Sequence, residues 1–227
     1  MSTRGGSQRI PRPAEVVGGG PAPWADHKDI PDLTQMLENV AEWREPRVFG
    51  GPTHDGRSAV LALLYERSGE PHLLLIRRSE HLRSHTSEIA FPGGRAEAGD
   101  RSLWHTALRE CQEEVGLAPE AVEKVGALDT FVTVGSNSLV HPFVGTAPTP
   151  RGLVADPGEV AAILEVPIAE LLHPDSWREE LWPMPDDTMR PMTFFELHGD
   201  TVWGATAAMV RQLLMIALGL PNASLMR

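Results

Sequence analysis

Only one cysteine, Cys111, stands in the 227 residues. No disulfide can close within the chain, which excludes the staple of small secreted domains and favours a reducing, cytoplasmic setting. Basic residues are also scarce: 20 Lys and Arg against 31 Asp and Glu leave a formal net charge of −11. Such a surface repels polymeric nucleic acid and anionic membranes unless its few cations cluster, so neither is an expected partner. Long apolar runs are missing too. The longest near the C-terminal end, Ala205 to Leu220, is broken by Arg211 and Gln212 and is followed by the stop signals Gly219 and Pro221. It is too short to span a bilayer comfortably and reads as a core helix. Residues 1–30 hold no signal-peptide-like apolar stretch; Gly18 to Gly20, Pro21 and Pro23 among scattered Ser and Arg read as a disordered tail.

What is present suffices for one domain over residues 31–227, since 41% of the chain is hydrophobic. Leu33, Met36, Leu37, Val40 and Ala41 have helical spacing between Asp32 and Arg44. The β-rich runs Ala59 to Tyr65 and His72 to Arg77 flank the turn-like Ser68 to Pro71 and predict a hairpin. Further strands are expected over 124–134, 139–145, 160–166 and 192–197, with a short helix over 166–172 and a hairpin and loop over 175–191. Strands interleaved with a few longer helices predict an α/β fold with a mixed sheet covered by helices.

The most informative stretch is GRAEAGDRSLWHTALRECQEEVGL, Gly94 to Leu117. Ser102 suits an N-cap, Leu103 to Val115 a helix interior, and Gly116 the left-handed residue that ends one. At roughly 100° per residue, Leu103, Trp104, Ala107, Leu108, Cys111 and Val115 fill an apolar arc of about 140°. Cys111 thus points into the core, where a thiol is inert. Glu110, Glu113 and Glu114 share an arc of about 100° whose Glu114 edge overlaps the apolar stripe. Like charges on adjacent turns repel, and partial burial makes them costlier. A hard divalent cation would compensate, and Arg109 could orient one of the acids. A solvated acidic helix end is the plainer alternative, although acids gain nothing from the dipole at a helix C-terminus.

Arginines 77, 78 and 83, with Arg95 nearby, form the one dense basic patch, and guanidinium forks suit phosphate oxygens. His81 and His85 flank it. Phe91, Pro92, Gly93 and Gly94 precede the acidic helix and leave little bulk against an approaching diphosphate. Asp156 and Glu159 sit in VADPGEV just before a strand, where a loop acid can reach a metal centre from across a site. Phe143 and Trp203 are aromatic enough to stack on a base, but lie in apolar runs of core type.

Gly94, Asp100 and Arg109 to Leu117 resemble the Nudix box: Gly, five residues, Glu, seven residues, then Arg-Glu-apolar-x-Glu-Glu-x-Gly-apolar. The second half matches throughout with Cys111 as the apolar residue. In the first half, one extra spacer residue places Gly94 and Asp100 at the Gly and acid positions, where strict spacing would put Arg95 and Arg101. Upstream, LLIRRSEHLRSHTSEIAFPGG is similar to the signature of the coenzyme A pyrophosphatase branch. Leu74, Leu75, Arg78, Ser79, Arg83 and Phe91 to Gly94 fit it, while Ile76 replaces Thr and Ser87 replaces Gly. His141 to Gly145 and Val202 to Ala207 also resemble that branch, so the likeness runs from about Pro31 to Leu220.

The resemblance implies a Nudix-like α/β/α sandwich and a metal-dependent pyrophosphohydrolase. Its catalytic residues would be Arg109, Glu110, Glu113 and Glu114. The last three would hold Mg²⁺ or Mn²⁺, and Glu159, read from its loop position rather than from the resemblance, is an additional candidate ligand. Arg77, Arg78, Arg83, Gly93 and Gly94 would bind a small nucleoside diphosphate derivative. The implied substrate is coenzyme A or acyl-coenzyme A, cleaved to 3′,5′-ADP and (acyl-)4′-phosphopantetheine. ADP-ribose or NADH as substrate, and a non-catalytic nucleotide-binding module, are the alternatives. The family also admits a homodimer.

Overall fold

The computed structural model describes residues 4–27, 29–44, 46–49, 56–81, 86–133, 138–184 and 186–221. A short strand β1 (Val17–Gly18) precedes helix α1 (Leu33–Ala41), whose first turn is capped by the Asp32 carboxylate accepting from the Gln35 amide at 2.9 Å. After β2 (Val48–Phe49) the long strands β3 (Gly56–Arg67) and β4 (Glu70–Arg78) form the expected hairpin. Strands β5 (Ile89–Ala90) and β6 (Gly93–Arg95) lead into α2 (Leu103–Val115), which begins at Ser102 and ends at Gly116, φ 74°. Then come β7 (Glu123–Ala127), β8 (Thr130–Val132), β9 (Ser138–Thr146), β10 (Val160–Pro167) and α3 (Ile168–Leu172). The chain closes with β11 (Trp177–Pro183), β12 (Met189–Glu196), β13 (Thr201–Trp203) and α4 (Gly204–Ala217).

Among the described residues, nine strands form one mixed sheet along the path β10-β4-β3-β9-β8-β2, with β5, β6 and β7 added to β4, β3 and β9. β3 runs parallel to β9, and β2 to β8; the other pairs are antiparallel. The apolar run of β3 explains the layers. Ala59, Leu61, Leu63 and Tyr65 pack with Ala107, Leu108, Cys111 and Val115 of α2. Ala62 and Leu64 pack with Met36 and Val40 of α1 and with Val210, Leu213 and Leu214 of α4. A strand covered on both faces needs apolar residues in succession rather than alternation. Each buried leucine contributes about 2 kcal/mol, and helices on both faces complete the α/β/α arrangement.

Two sequence expectations are corrected. The single strand over 124–134 is two strands parted at Leu128 and Asp129, residue 134 lying outside the described residues. Asp129, fully buried, accepts from the Arg47 amide at 2.9 Å and Gln212 Nε2 at 2.7 Å, and its own amide donates to Gln212 Oε1 at 3.1 Å. Its backbone donor is spent on a side chain of α4, so the ladder breaks there.

Residues 4–27 do not form the expected disordered tail. β1 adds to the edge of β11, Val17 opposite Leu181, in a second, antiparallel sheet ordered β1-β11-β12-β13. Trp24 is only 4% exposed, edge-on to Trp177 at 5.1 Å and stacked over Phe195 at 6.1 Å. Farther upstream, Gln8 donates to Asp200 at 2.8 Å and accepts from the Thr201 amide at 2.9 Å. The segment has little apolar content, but one large aromatic and an open strand edge supply the burial and backbone pairing that order it.

Candidate active site

The site is built where β6 runs into α2. Gly93, φ 154°, holds a backbone conformation that side chains rarely adopt, and a Cβ there would lie 2.4 Å from the Ala59 carbonyl of β3. A Cβ on Gly94 would lie 2.4 to 2.5 Å from the Glu110 carboxylate. The two glycines therefore let β6 press against β3 and leave the space that the Glu110 carboxylate occupies. The Gly93 amide donates to Glu114 Oε2 at 2.8 Å, tying the glycine turn to the helix.

Glu114 is 1% exposed and belongs to the face of α2 that packs on the sheet. Burial pushes its carboxyl up to about 8, against the Gly93 amide and Arg78, with Glu110 and Glu159 adding to the rise. Burial likewise raises the Glu110 carboxyl, opposed by Arg109 and reinforced by the charges of Glu113 and Glu159. The charge of Glu159, from the loop before β10, thus reaches both Glu110 and Glu114. Glu113 stands at the exposed edge, held by Arg109 at 2.9 Å. Cys111 sits behind them, 1% exposed, its thiol pushed up to about 12 by burial.

Arg109 is the hub of the loop. Its Nε and Nη2 donate to Asp100 at 3.1 and 3.2 Å, Nη2 also reaches the Arg95 carbonyl at 3.1 Å, and ion pairs join it to Glu110 and Glu113 at 2.9 Å. Asp100 also accepts from Thr106 Oγ1 at 2.8 Å and the Glu97 amide at 2.9 Å. These bonds, Arg109 first, hold its carboxyl below the usual carboxylate range. The acid of the shifted spacer therefore fastens the loop to α2.

Alternation along β4 divides the two adjacent arginines. Arg78 lies on the α2 face, its Nη1 3.7 Å from Glu114 Oε1. Arg77, expected to bind substrate, is instead held by Asp200, its Nε and Nη2 donating at 2.8 and 2.7 Å. Asp200 also accepts from Gln8, so Arg77 belongs to the network that ties down the N-terminal segment. No local signal marks a partner 123 residues away. Arg83 and His85 lie outside the described residues; His81 is exposed. Phe143 packs edge-on to Trp104 at 5.6 Å beneath Lys124, and Trp203 stands opposite Phe194 across β12 and β13.

The donor set fits a hard divalent cation. Glu110 and Glu114 offer carboxylate oxygens here, and Glu114 Oε1 is buried without a hydrogen-bond partner among the described residues. Its contact with Arg78 is too long to be a hydrogen bond. The cage is not closed: among the described residues no three acidic, histidine or cysteine side chains surround a single point. Arg109 engages both Glu110 and Glu113. No helix among the described residues is long and apolar enough to cross a membrane.

The NUDIX domain family matches residues 55–187. The chain is 36% identical over 169 residues to the uncharacterized Nudix hydrolase NudL of Shigella flexneri serotype 5b, spanning 74% of this chain and 86% of the relative. It is also 36% identical over 162 residues to NudL of Escherichia coli O7:K1, spanning 71% and 83%. Among solved structures, a MutT/nudix family protein from Enterococcus faecalis superposes with a TM-score of 0.46 at 16% identity, over 83% of this chain and 64% of that one. An Ap4A hydrolase from C. elegans gives 0.43 at 18% identity, over 51% and 82%. With the family matching more than half of the chain and the NudL relatives aligning over most of their length, this protein belongs to the Nudix hydrolase family.

Proposed function

We propose that this Nudix hydrolase cleaves the diphosphate of coenzyme A or acyl-coenzyme A, releasing 3′,5′-ADP and (acyl-)4′-phosphopantetheine. The observation that carries the reading is the meeting of two separate signature segments: Arg78 of the upstream motif approaches Glu114 of the box, and the Gly93 amide binds the same carboxylate. Glu110, Glu114 and Glu159 would hold Mg²⁺ or Mn²⁺, with Glu113 at the outer edge. When bound, the ion neutralises the diphosphate and acidifies a water. Arg78 offers its guanidinium to a phosphate oxygen beside that charge, and Gly93 and Gly94 set β6 against β3 and make room for the Glu110 carboxylate. Arg109 fastens the loop to the helix and orients Glu110 and Glu113.

The two departures from the coenzyme A signature have structural accounts that do not involve the substrate. Ile76 is fully buried in the core beneath α2. Ser87, at a glycine position of the signature, keeps the left-handed backbone that glycine favours, φ 59°. The test is product identification by mass spectrometry on coenzyme A, acyl-coenzyme A, ADP-ribose, NADH and dinucleoside polyphosphates, with and without Mg²⁺ or Mn²⁺. Metal-dependent release of adenosine 3′,5′-bisphosphate from the coenzyme A species is expected. Turnover confined to ADP-ribose or NADH would move the substrate to another nucleoside diphosphate, and binding without turnover across the panel would make the protein a nucleotide-binding module.

A further inference from the structure

The loop between β9 and β10 is hung on the C-terminal end of α2. The Val154 amide donates to the Val115 carbonyl and the Asp156 amide to the Glu114 carbonyl, both at 3.0 Å. These carbonyls belong to the last turn of α2, where no intrahelical donor remains. From that anchor the chain makes a tight turn at Asp156, Pro157 and Gly158. Asp156 Oδ1 accepts from the Gly158 amide at 2.8 Å, and the Asp156 carbonyl accepts from Glu159 at 3.1 Å and Val160 at 2.8 Å. On the far side, the buried Ser79 donates its amide to the Glu159 carbonyl at 2.8 Å. Glu159 is therefore pinned between two elements that already carry site residues: α2 with Glu110 and Glu114, and the end of β4 with Arg78. Oε1 of Glu114, which has no hydrogen-bond partner among the described residues, is buried on the α2 side of this junction.

We infer that Asp156 is a positioning residue: by accepting the Gly158 amide it shapes the turn that holds Glu159 against the metal-binding carboxylates of α2. The inference rests on the metal-dependent reading above and adds to it a residue outside the box. What Asp156 contributes is an acceptor at the reach of an Asx turn, and its charge plays no part. Asn keeps that acceptor and loses the charge, whereas Glu keeps the charge and places the acceptor one methylene too far.

The experiment uses the full chain and measures Mn²⁺ affinity by calorimetry and by electron paramagnetic resonance without substrate, then the metal dependence of turnover. Asp156→Glu and Asp156→Ala are expected to weaken Mn²⁺ binding about tenfold. Asp156→Asn is expected to stay within about twofold of wild type. Glu159→Gln should match the loss seen in Asp156→Glu, and the double variant should lose little more, because both act through one carboxylate. Equal losses in Asp156→Asn and Asp156→Glu would overturn the acceptor role, as would wild-type affinity in Asp156→Glu. Unchanged affinity in Glu159→Gln would overturn the positioning of Glu159 as a donor. Should Asp156→Ala fail to fold, the Asn and Glu pair still decides the matter. Failure of the coenzyme A assignment is read separately, since Mn²⁺ affinity is measured with no substrate present.

Discussion

At the scale of single residues, the site depends on groups whose surroundings oppose their ordinary preferences. Ser87 is the mildest case. A non-glycine residue in the left-handed region costs about 1 kcal/mol, while glycine loses about 0.5–1 kcal/mol of unfolded-chain entropy on folding. Ser87→Gly should therefore raise Tm slightly, by about 1 °C on a chain of this size, with kcat unchanged. A clear fall in Tm by calorimetry would show that the Ser87 hydroxyl contributes more than its backbone costs. Glu114 is the stronger case, a buried carboxyl with one oxygen that has no hydrogen-bond partner among the described residues. Glutamine is nearly isosteric and can still accept from the Gly93 amide, but it is a far poorer ligand for a hard cation. Glu114→Gln should lower metal-dependent turnover by about 100-fold while thermal unfolding stays at or above the wild-type temperature at pH 8. Wild-type turnover in that variant would remove Glu114 from the metal site.

At the scale of elements, helix α2 was readable in advance from cap to cap: Ser102, the apolar arc and Gly116 are where the periodicity places them. The glycine loop before it was legible only in part. The spacing identified Asp100 as the acid of a shifted motif, but not that it would grip Arg109 on the following helix. That grip has a pH signature. The folded-state carboxyl of Asp100 lies below its unfolded value, so the stability it contributes is present above the ordinary carboxylate range of about 4 and lost as pH falls through that range. In wild type, Tm should drop more steeply between about pH 5 and pH 2 than in Asp100→Asn, and the variant should be the less stable protein at pH 7. Parallel curves from the two proteins would show that the Asp100 charge contributes nothing. The strand expected over 124–134 failed for a related reason: a buried Asp129 recruits donors from two distant segments, the α1–β2 connection and α4, and strand propensity registers neither.

At the scale of the whole molecule, the N-terminal segment is part of the fold. Trp24 joins the core formed by α1, α4 and β12, and Gln8 shares Asp200 with Arg77. Removing the indole by Trp24→Ala should cost about 3 kcal/mol, measured by urea unfolding, because the surrounding aromatics Trp177 and Phe195 would line a cavity. A loss below about 1 kcal/mol would show that the segment collapses over the gap or detaches at little cost. Composition could not foresee this, since Gly and Pro dominate the segment and a single tryptophan finds its partners more than 150 residues later.

The sequence alone determined the local features of this protein: the amphipathic helix α2 with its three acids, the hairpin, the mixed α/β class, and the two motif segments. Each depends on residues within a turn or two of one another, where backbone periodicity and cap chemistry decide the outcome. Only the tertiary structure decided which of two adjacent arginines lies beside Glu114, because strand alternation and a distant Asp200 send Arg77 to one face and leave Arg78 at the other. It also decided that Asp156, three residues before Glu159, is clipped to the end of α2, since those hydrogen bonds join segments whose approach depends on the packed sheet.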